Sequence, residues 1–445
     1  MNYTNNRSAG SGRISLFSPL LLLLLAATTL RAADPYTKTI DRTFAAVPVV
    51  IFAQDNGHLE VRPATDGQIR FVAHISIDAS EEADARRFLE RMDLRATASS
   101  TLLQLRLDLN RVTSWKTTGN RSEVKFADGE RIRGVRNFDV RAVLYVPPTR
   151  SLELAMRFSD VAIDHQVDLT DLRLELNNTK LYGGAVGGNL HVNALFGSIQ
   201  LVSAAGSITG EMTNNRLELR RGGGDLRLNT RFSELELGPM RNVDLVSTND
   251  KVAIDTVRGH LQLNERFGRY RLGTTGRADI TSTNGDYTVE RGGDYTVNGR
   301  FTNITFGEAT SLVLEGNANC TYRADRLGEV RGQGSFTDVR VDELTGSADL
   351  RLTNGELQVD RLAPSFTGIR VEGSFFDVDL RLADAVPFRA RAKLTFGKVE
   401  VPDGMTVRVD EERNSQIEKY YLTKNATEAS PLIEVSGSNA SLRIR

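Results

Sequence analysis

Phe232-Ser233-Glu234-Leu235-Glu236-Leu237, followed 17 residues later by Asn249-Asp250-Lys251-Val252-Ala253-Ile254, is the phrase whose reading decides the fold. Its last four residues alternate polar and apolar, the period of a strand with one buried face. The phrase recurs fourteen times between Phe158 and Val401. A Phe form begins at Phe158, Phe196, Phe232, Phe267, Phe301, Phe336, Phe375 and Phe396, and an Asn form at Asn178, Asn214, Asn249, Asn284, Asn317 and Asn354. In chain order the two forms alternate strictly until the last pair, Phe375 and Phe396. Successive starts lie 16 to 21 residues apart, mostly 17 or 18, and so short a period marks units that bury their apolar faces only by stacking. The predicted fold class is all-β: a parallel β-solenoid, or β-helix, of repeat units about 18 residues long that alternate Phe-type and Asn-type, with one short N-terminal helix.

The slots of the phrase are chemically distinct. The fourth position holds Val161, Leu181, Ile199, Leu217, Leu235, Val252, Tyr270, Tyr287, Ile304, Cys320, Val339, Leu357, Val378 and Val399, which reads as the buried side. The third position contains no apolar residue, and Glu234, Lys251 and Arg269 are expected to face solvent. The second favours Gly, Ser, Thr, Asn and Asp, the residues of bends, so a corner is predicted there. On that reading each leading Phe turns inward to fill a corner of the core, with Phe232, Phe267 and Phe301 in one column. Asn214, Asn249, Asn284 and Asn354 then bond neighbouring backbone at matching corners. The sequence leaves the coil open between about 18 residues, which stacks Phe on Asn, and about 36, which stacks like on like; the strict alternation leans toward the latter.

Composition bounds the compartment. Arg7 and Arg13, an apolar core from Leu20 to Leu25, and Ala32-Ala33 before Asp34-Pro35 follow the plan of a secretory signal peptide over residues 1–33. The apolar stretch is short for a membrane span, and no second one follows. Removing that leader takes away three arginines and no acid, leaving 53 bases against 57 acids and no basic footprint for nucleic acid. Cys320 is the only cysteine, so no intramolecular disulfide forms and stability rests on the stacked core.

Residues 34–150 read as a β-rich N-terminal capping region. It contains an Asn-type phrase at Asn56-Gly57-His58-Leu59-Glu60-Val61 and a helix near 80–93, with Ser80 as its cap. Strands are expected at Leu102 to Leu109 and Val140 to Val146, with a hairpin or loop over Arg111 to Arg136. Residues 151–402 form the regular solenoid. Residues 403–445 form a C-terminal capping segment in which the phrase returns once, at Asn439-Ala440-Ser441-Leu442-Arg443-Ile444. Ends must be covered because an open solenoid exposes strand edges and core.

The opening Asn-Gly-x-Leu-x-Val phrase, the short acidic helix, the strand ending in Val146-Pro147-Pro148 and the long run of phrases resemble the bacterial "putative adhesin" family of β-strand-repeat proteins, which is similar to auto-transporter adhesin head (GIN) domains. The resemblance covers roughly Tyr36 to Arg445 and implies a β-solenoid envelope protein. It carries no catalytic motif and no functional residues onto this chain.

Chemistry-bearing residues are sparse. His58, His74, His165, His191 and His260 lack metal-ligand spacing, and no metal or cofactor is called. Arg221-Gly222-Gly223-Gly224-Asp225 and Arg291-Gly292-Gly293-Asp294 read as turns rather than anion nests. Asp377 with Asp379, and Asp338 with Glu356, could pair on an outer face as carboxylates of a polysaccharide lyase or hydrolase. The outward slot otherwise mixes charges without bias. The expected function is therefore an exported, non-catalytic β-solenoid, adhesin-like or a cell-envelope scaffold, located in the periplasm, at the cell surface or secreted. Its expected partner is a surface polysaccharide or an envelope protein, and the alternative is a carbohydrate-active β-helix enzyme.

Overall fold

A computed structural model of the chain describes residues 35–109, 112–119, 121–383 and 386–445. The leader expected over residues 1–33 lies outside the described residues. From Val49–Pro63 onward, strands pair in parallel with their neighbours in the coil, as in Leu172↔Leu190, Ile199↔Leu217 and Tyr270↔Tyr287. The chain is a parallel β-solenoid with one helix among the described residues, and each turn takes about 18 residues: Glu234 pairs with Lys251, which pairs with Arg269. Like therefore does not stack on like; Phe-type and Asn-type levels alternate along the axis, which corrects the leaning toward a longer coil.

Alternation explains why these residues form these strands. Leu235, Val252, Ile304 and Leu357 all point into the lumen and are at most 1% exposed. Each level lays its apolar residues on those of the next, so the core is one continuous column along the axis. Close approach between levels also accounts for the glycine runs. A Cβ on Gly224 would lie 2.2 Å from the Gly206 carbonyl oxygen, so packing between coils requires glycine there.

One repeat is displaced from its expected start. Residue Asn317 is buried, and positive φ falls on Asn319 instead. Thr321 donates its backbone N–H to Thr302, in the register of a third-position residue, which makes Tyr322 and Ala324 the inward pair. Cys320 is buried in the second position, not the fourth. Asn317 bridges the lumen, donating to Val297 O at 3.0 Å and accepting from Gly299 N at 2.7 Å and Tyr322 Oη at 2.6 Å.

Around these levels the lumen carries a bonded polar layer. Asp250 accepts from Thr230, Ser247 and the Ser233 N–H at 2.6, 2.6 and 2.7 Å. Glu265, 1% exposed, accepts from Ser282 and from Gly268 N at 2.9 Å, and burial raises its pKa above the ordinary carboxylate value despite these bonds. Tyr270 stacks on Tyr287 with ring centroids 4.8 Å apart, and burial drives both phenols upward.

Both ends break the parallel pattern. At the N-terminal end Tyr36–Phe44 pairs antiparallel with Ile69–Ala79, which pairs antiparallel with Arg131–Val146. The helix Glu82–Arg91 packs Phe88 edge-on against Trp115 and Phe138. Its N-cap is Glu81, without a side-chain capping bond; Ser80, expected as the cap, donates to Gly134 O instead. Val112–Thr118 and Arg121–Phe126 form the hairpin. At the C-terminal end Thr406–Arg413 and Gln416–Leu422 form an antiparallel hairpin against Arg389–Thr395. The last strand, Leu432–Ile444, then returns between Gly368–Leu382 and Arg389–Thr395, parallel to both.

Candidate binding ridge

Every leading Phe of the phrase has a positive φ, between 49° and 61°, and Asn56, Asn178, Asn214, Asn249, Asn284, Asn319, Asn354 and Asn439 have positive φ between 49° and 65°. Left-handed backbone inserts one extra residue into the strand and acts as a bulge. Arg231 and Phe232 consequently both face solvent, and inward alternation resumes at Ser233. The bend sits one residue earlier than the second-position corner expected from sequence. That second position is instead a buried slot. Its hydroxyls cap the carbonyl two residues back: Ser159 to Arg157 O at 2.8 Å, Ser233 to Arg231 O at 2.9 Å, Thr302 to Arg300 O at 3.1 Å and Thr337 to Ser335 O at 3.1 Å.

The leading phenylalanines are therefore not corner fillers. Phe232, Phe267 and Phe301 are 58%, 56% and 56% exposed, and all eight lie between 46% and 66%. Asn214, Asn249, Asn284 and Asn354 are exposed as well, and the amides expected to bond backbone point to solvent. One signal in the sequence could have revealed this. A slot shared with Asn is a slot for left-handed backbone, which Asn tolerates and Phe does not favour.

Register joins these residues into one exposed column. Gly57 pairs with Ser159, Thr179 with Gly197, Gly355 with Phe376, Phe376 with Ala440 and Lys398 with Ser441. The order in space is thus Asn56, Phe158, Asn178, Phe196, Asn214, Phe232, Asn249, Phe267, Asn284, Phe301, Asn319, Phe336, Asn354, Phe375, Asn439, Phe396. Chain order breaks the alternation at Phe375 and Phe396, but the returning last strand places Asn439 between them. The alternation is a property of the surface.

Grooves flank the ridge on both sides. One, of about 730 Å³, runs between the column and the third-position residues, including Arg216, Lys251 and Arg269. There Lys251 bonds Glu234 at 2.6 Å and, as the leading cause, lowers that carboxyl's pKa; Arg216 pairs with Glu234 and Glu236. The other groove, of about 1020 Å³, crosses the strands that precede the ridge and includes Glu175, Asn193, Glu211 and Asp244. Glu175 and Glu211 share one column with Asn193 between them, a pair not singled out by the sequence. Glu175 is bonded by Arg173 and Asn193, and Asp244 by Arg227.

Of the carboxylate pairs singled out by sequence, Asp377 accepts from the Ser441 hydroxyl and the other three members are tied to arginine. Asp338 and Glu356 both face Arg340, and Asp379 faces Arg443 and Arg445. Asp225 is held down to about 2 chiefly by Arg241. Histidines stay scattered, with His260 on Asp279 at 2.8 Å and His191 on Thr209 at 3.0 Å. Among the described residues no group of three or more His, Cys, Asp or Glu is placed to hold a metal ion, and no helix is long and apolar enough to cross a membrane.

No family model and no curated protein matches the chain. Among solved structures it is similar to a "putative cell adhesion protein" from Clostridium sporogenes ATCC 15579, at 8% identity and a TM-score of 0.16, covering 92% of this chain and 99% of that one. It is also similar to a "putative adhesin" from Bacteroides fragilis NCTC 9343, at 13% identity and a TM-score of 0.18, covering 73% and 96%. A "putative lipid binding protein" from Parabacteroides distasonis ATCC 8503 gives 9% identity and a TM-score of 0.18, covering 76% and 97%.

Proposed function

We propose that the chain is an exported, non-catalytic, adhesin-like binding scaffold of the cell envelope, which uses its ridge to engage an extended partner such as a surface polysaccharide. One observation carries this reading: eight phenylalanines stand in left-handed backbone with their rings about half exposed. Strained backbone of this kind costs on the order of 1 to 3 kcal/mol per residue. Burial does not offset it here, so the side chains serve the surface rather than the core.

Fractionation of cells producing the full chain tests the location, with recovery in the periplasm, at the surface or in the medium expected and confinement to the cytoplasm overturning it. Incubation with a panel of acidic and neutral polysaccharides tests the activity. Retention of polymer without release of new reducing ends is the expected outcome. Release that disappears in Glu175→Gln or Glu211→Gln would replace this reading with the hydrolase.

A further inference from the structure

Resting on that binding reading, we propose that the central ridge is a recognition site for an acidic polysaccharide carrying one carboxylate per disaccharide. Arg231, Arg266 and Arg300 immediately precede Phe232, Phe267 and Phe301, and both members of each pair are exposed. Pairing runs Arg231↔Thr248, Thr248↔Arg266, Arg266↔Thr283 and Thr283↔Arg300, so these five residues form one straight rung line beside the ridge. The surface is a checkerboard in which Arg-Phe rows alternate with the Thr-Asn rows Thr248-Asn249 and Thr283-Asn284.

Register and charge together mark this patch. Most arginines on the molecule have carboxylate partners, as Arg216, Arg227, Arg241 and Arg277 do nearby. Among the described residues Arg231, Arg266 and Arg300 have none within ion-pair distance. Arg269, Arg271 and Arg291 are likewise without an ion-pair partner among those residues, but only Arg231, Arg266 and Arg300 recur at alternate levels of one rung line, a ladder that fits an anionic partner of matching period.

Spacing and chemistry then choose that partner. Neighbouring strands are about 4.8 Å apart, so like rows recur about every 9.6 Å. Each repeat offers one aromatic face, one planar fork suited to a carboxylate, and one amide with one hydroxyl. An extended β-linked disaccharide advances by a similar distance and presents an apolar ring face, one carboxylate and several hydroxyls. Each strand of a DNA duplex carries a phosphate about every 3.4 Å of axis, too dense for this ladder. The carboxylate would take the Arg fork, the ring face the Phe, and the hydroxyls the Asn and Thr of the intervening row.

The test uses the full chain and hyaluronan, whose β-linked repeat holds one uronate per disaccharide, with its carboxyl-reduced form and a neutral β-glucan as controls. Binding is measured by calorimetry for the wild type, for R231Q/R266Q/R300Q and for F232N/F267N/F301N. Asn already occupies the same backbone conformation at alternate levels, so the Phe→Asn variant is suited to keeping the fold, and thermal melting checks it. Expected are salt-sensitive wild-type binding and weakening by at least about tenfold in each triple variant and with the reduced polymer. Equal binding of hyaluronan and its reduced form, unchanged binding by folded triple variants, or no binding to hyaluronan would overturn the proposal. The binding-scaffold reading survives those results if another polysaccharide is retained, and fails with them if none is.

Discussion

Asn439 lies beside Phe375 because Ala440 pairs in register with Phe376. Through this contact the last strand of the chain restores, in space, the alternation that chain order loses. Chain entropy gives no reason for a distant segment to conserve a surface pattern. Stacking does, since each level is built against the one it covers.

Backbone conformation and side chain pull in opposite directions at the ridge. Phe232→Asn, Phe267→Asn and Phe301→Asn are each expected to raise stability by about 1 kcal/mol, because Asn accepts positive φ more readily than Phe. The matching Ala variants should stay within about 0.5 kcal/mol of wild type. Urea denaturation gives both values, and losses of about 3 to 5 kcal/mol on truncation to Ala would return these rings to the core.

The second position is expected to behave as interior. Thr302 is fully buried, donates to Arg300 O at 3.1 Å and lies 2.8 Å from the Ser282 hydroxyl. Thr302→Val keeps the shape but leaves these groups short of a partner, a loss of about 1 to 3 kcal/mol. Equal melting temperatures for this variant and wild type would contradict the capping role.

Two asparagines two residues apart should separate cleanly. Asn317→Leu strips partners from Gly299 N, Val297 O and Tyr322 Oη and is expected to destabilise by about 1 to 3 kcal/mol or more. Asn319→Gly, at an exposed residue with φ of 55°, should be close to neutral. Reversal of that order would move the bend back to Asn317.

Glu265 makes stability depend on pH. Desolvation raises its folded-state pKa above the unfolded value, so the folded state holds the proton more tightly. The resulting stabilisation is fully present below the unfolded pKa of about 4.3 and is lost as pH rises through the folded value. Glu265→Gln removes this titration. The variant is expected to exceed wild type in urea midpoint at pH 7, with the advantage shrinking toward pH 4. A variant less stable than wild type at pH 7 would show that the ionised carboxylate is favourable where it sits.

The fold was legible because alternation in residues such as Leu235-Glu236-Leu237 states which side is inside without reference to any distant residue. The hairpin after residue 111 was legible from its charged, glycine-bearing composition, whereas the antiparallel pairing at both ends was not, because it depends on which strands meet. The ridge was harder to read. Phe is apolar, and hydrophobicity alone sends Phe232 inward; a positive φ, shared with Asn249 in the next coil, sends it out.

The sequence by itself determined the period, the alternating inward residues of the fourth and sixth positions and the parallel stacking, since each depends on local alternation and a short fixed repeat. Only the tertiary structure decided that one turn is one phrase, that the bend falls on the leading residue, and that Asn439 completes the column between Phe375 and Phe396. Those features depend on which strands become neighbours. Hydrogen bonds between coils fix that choice, and a linear pattern does not encode it.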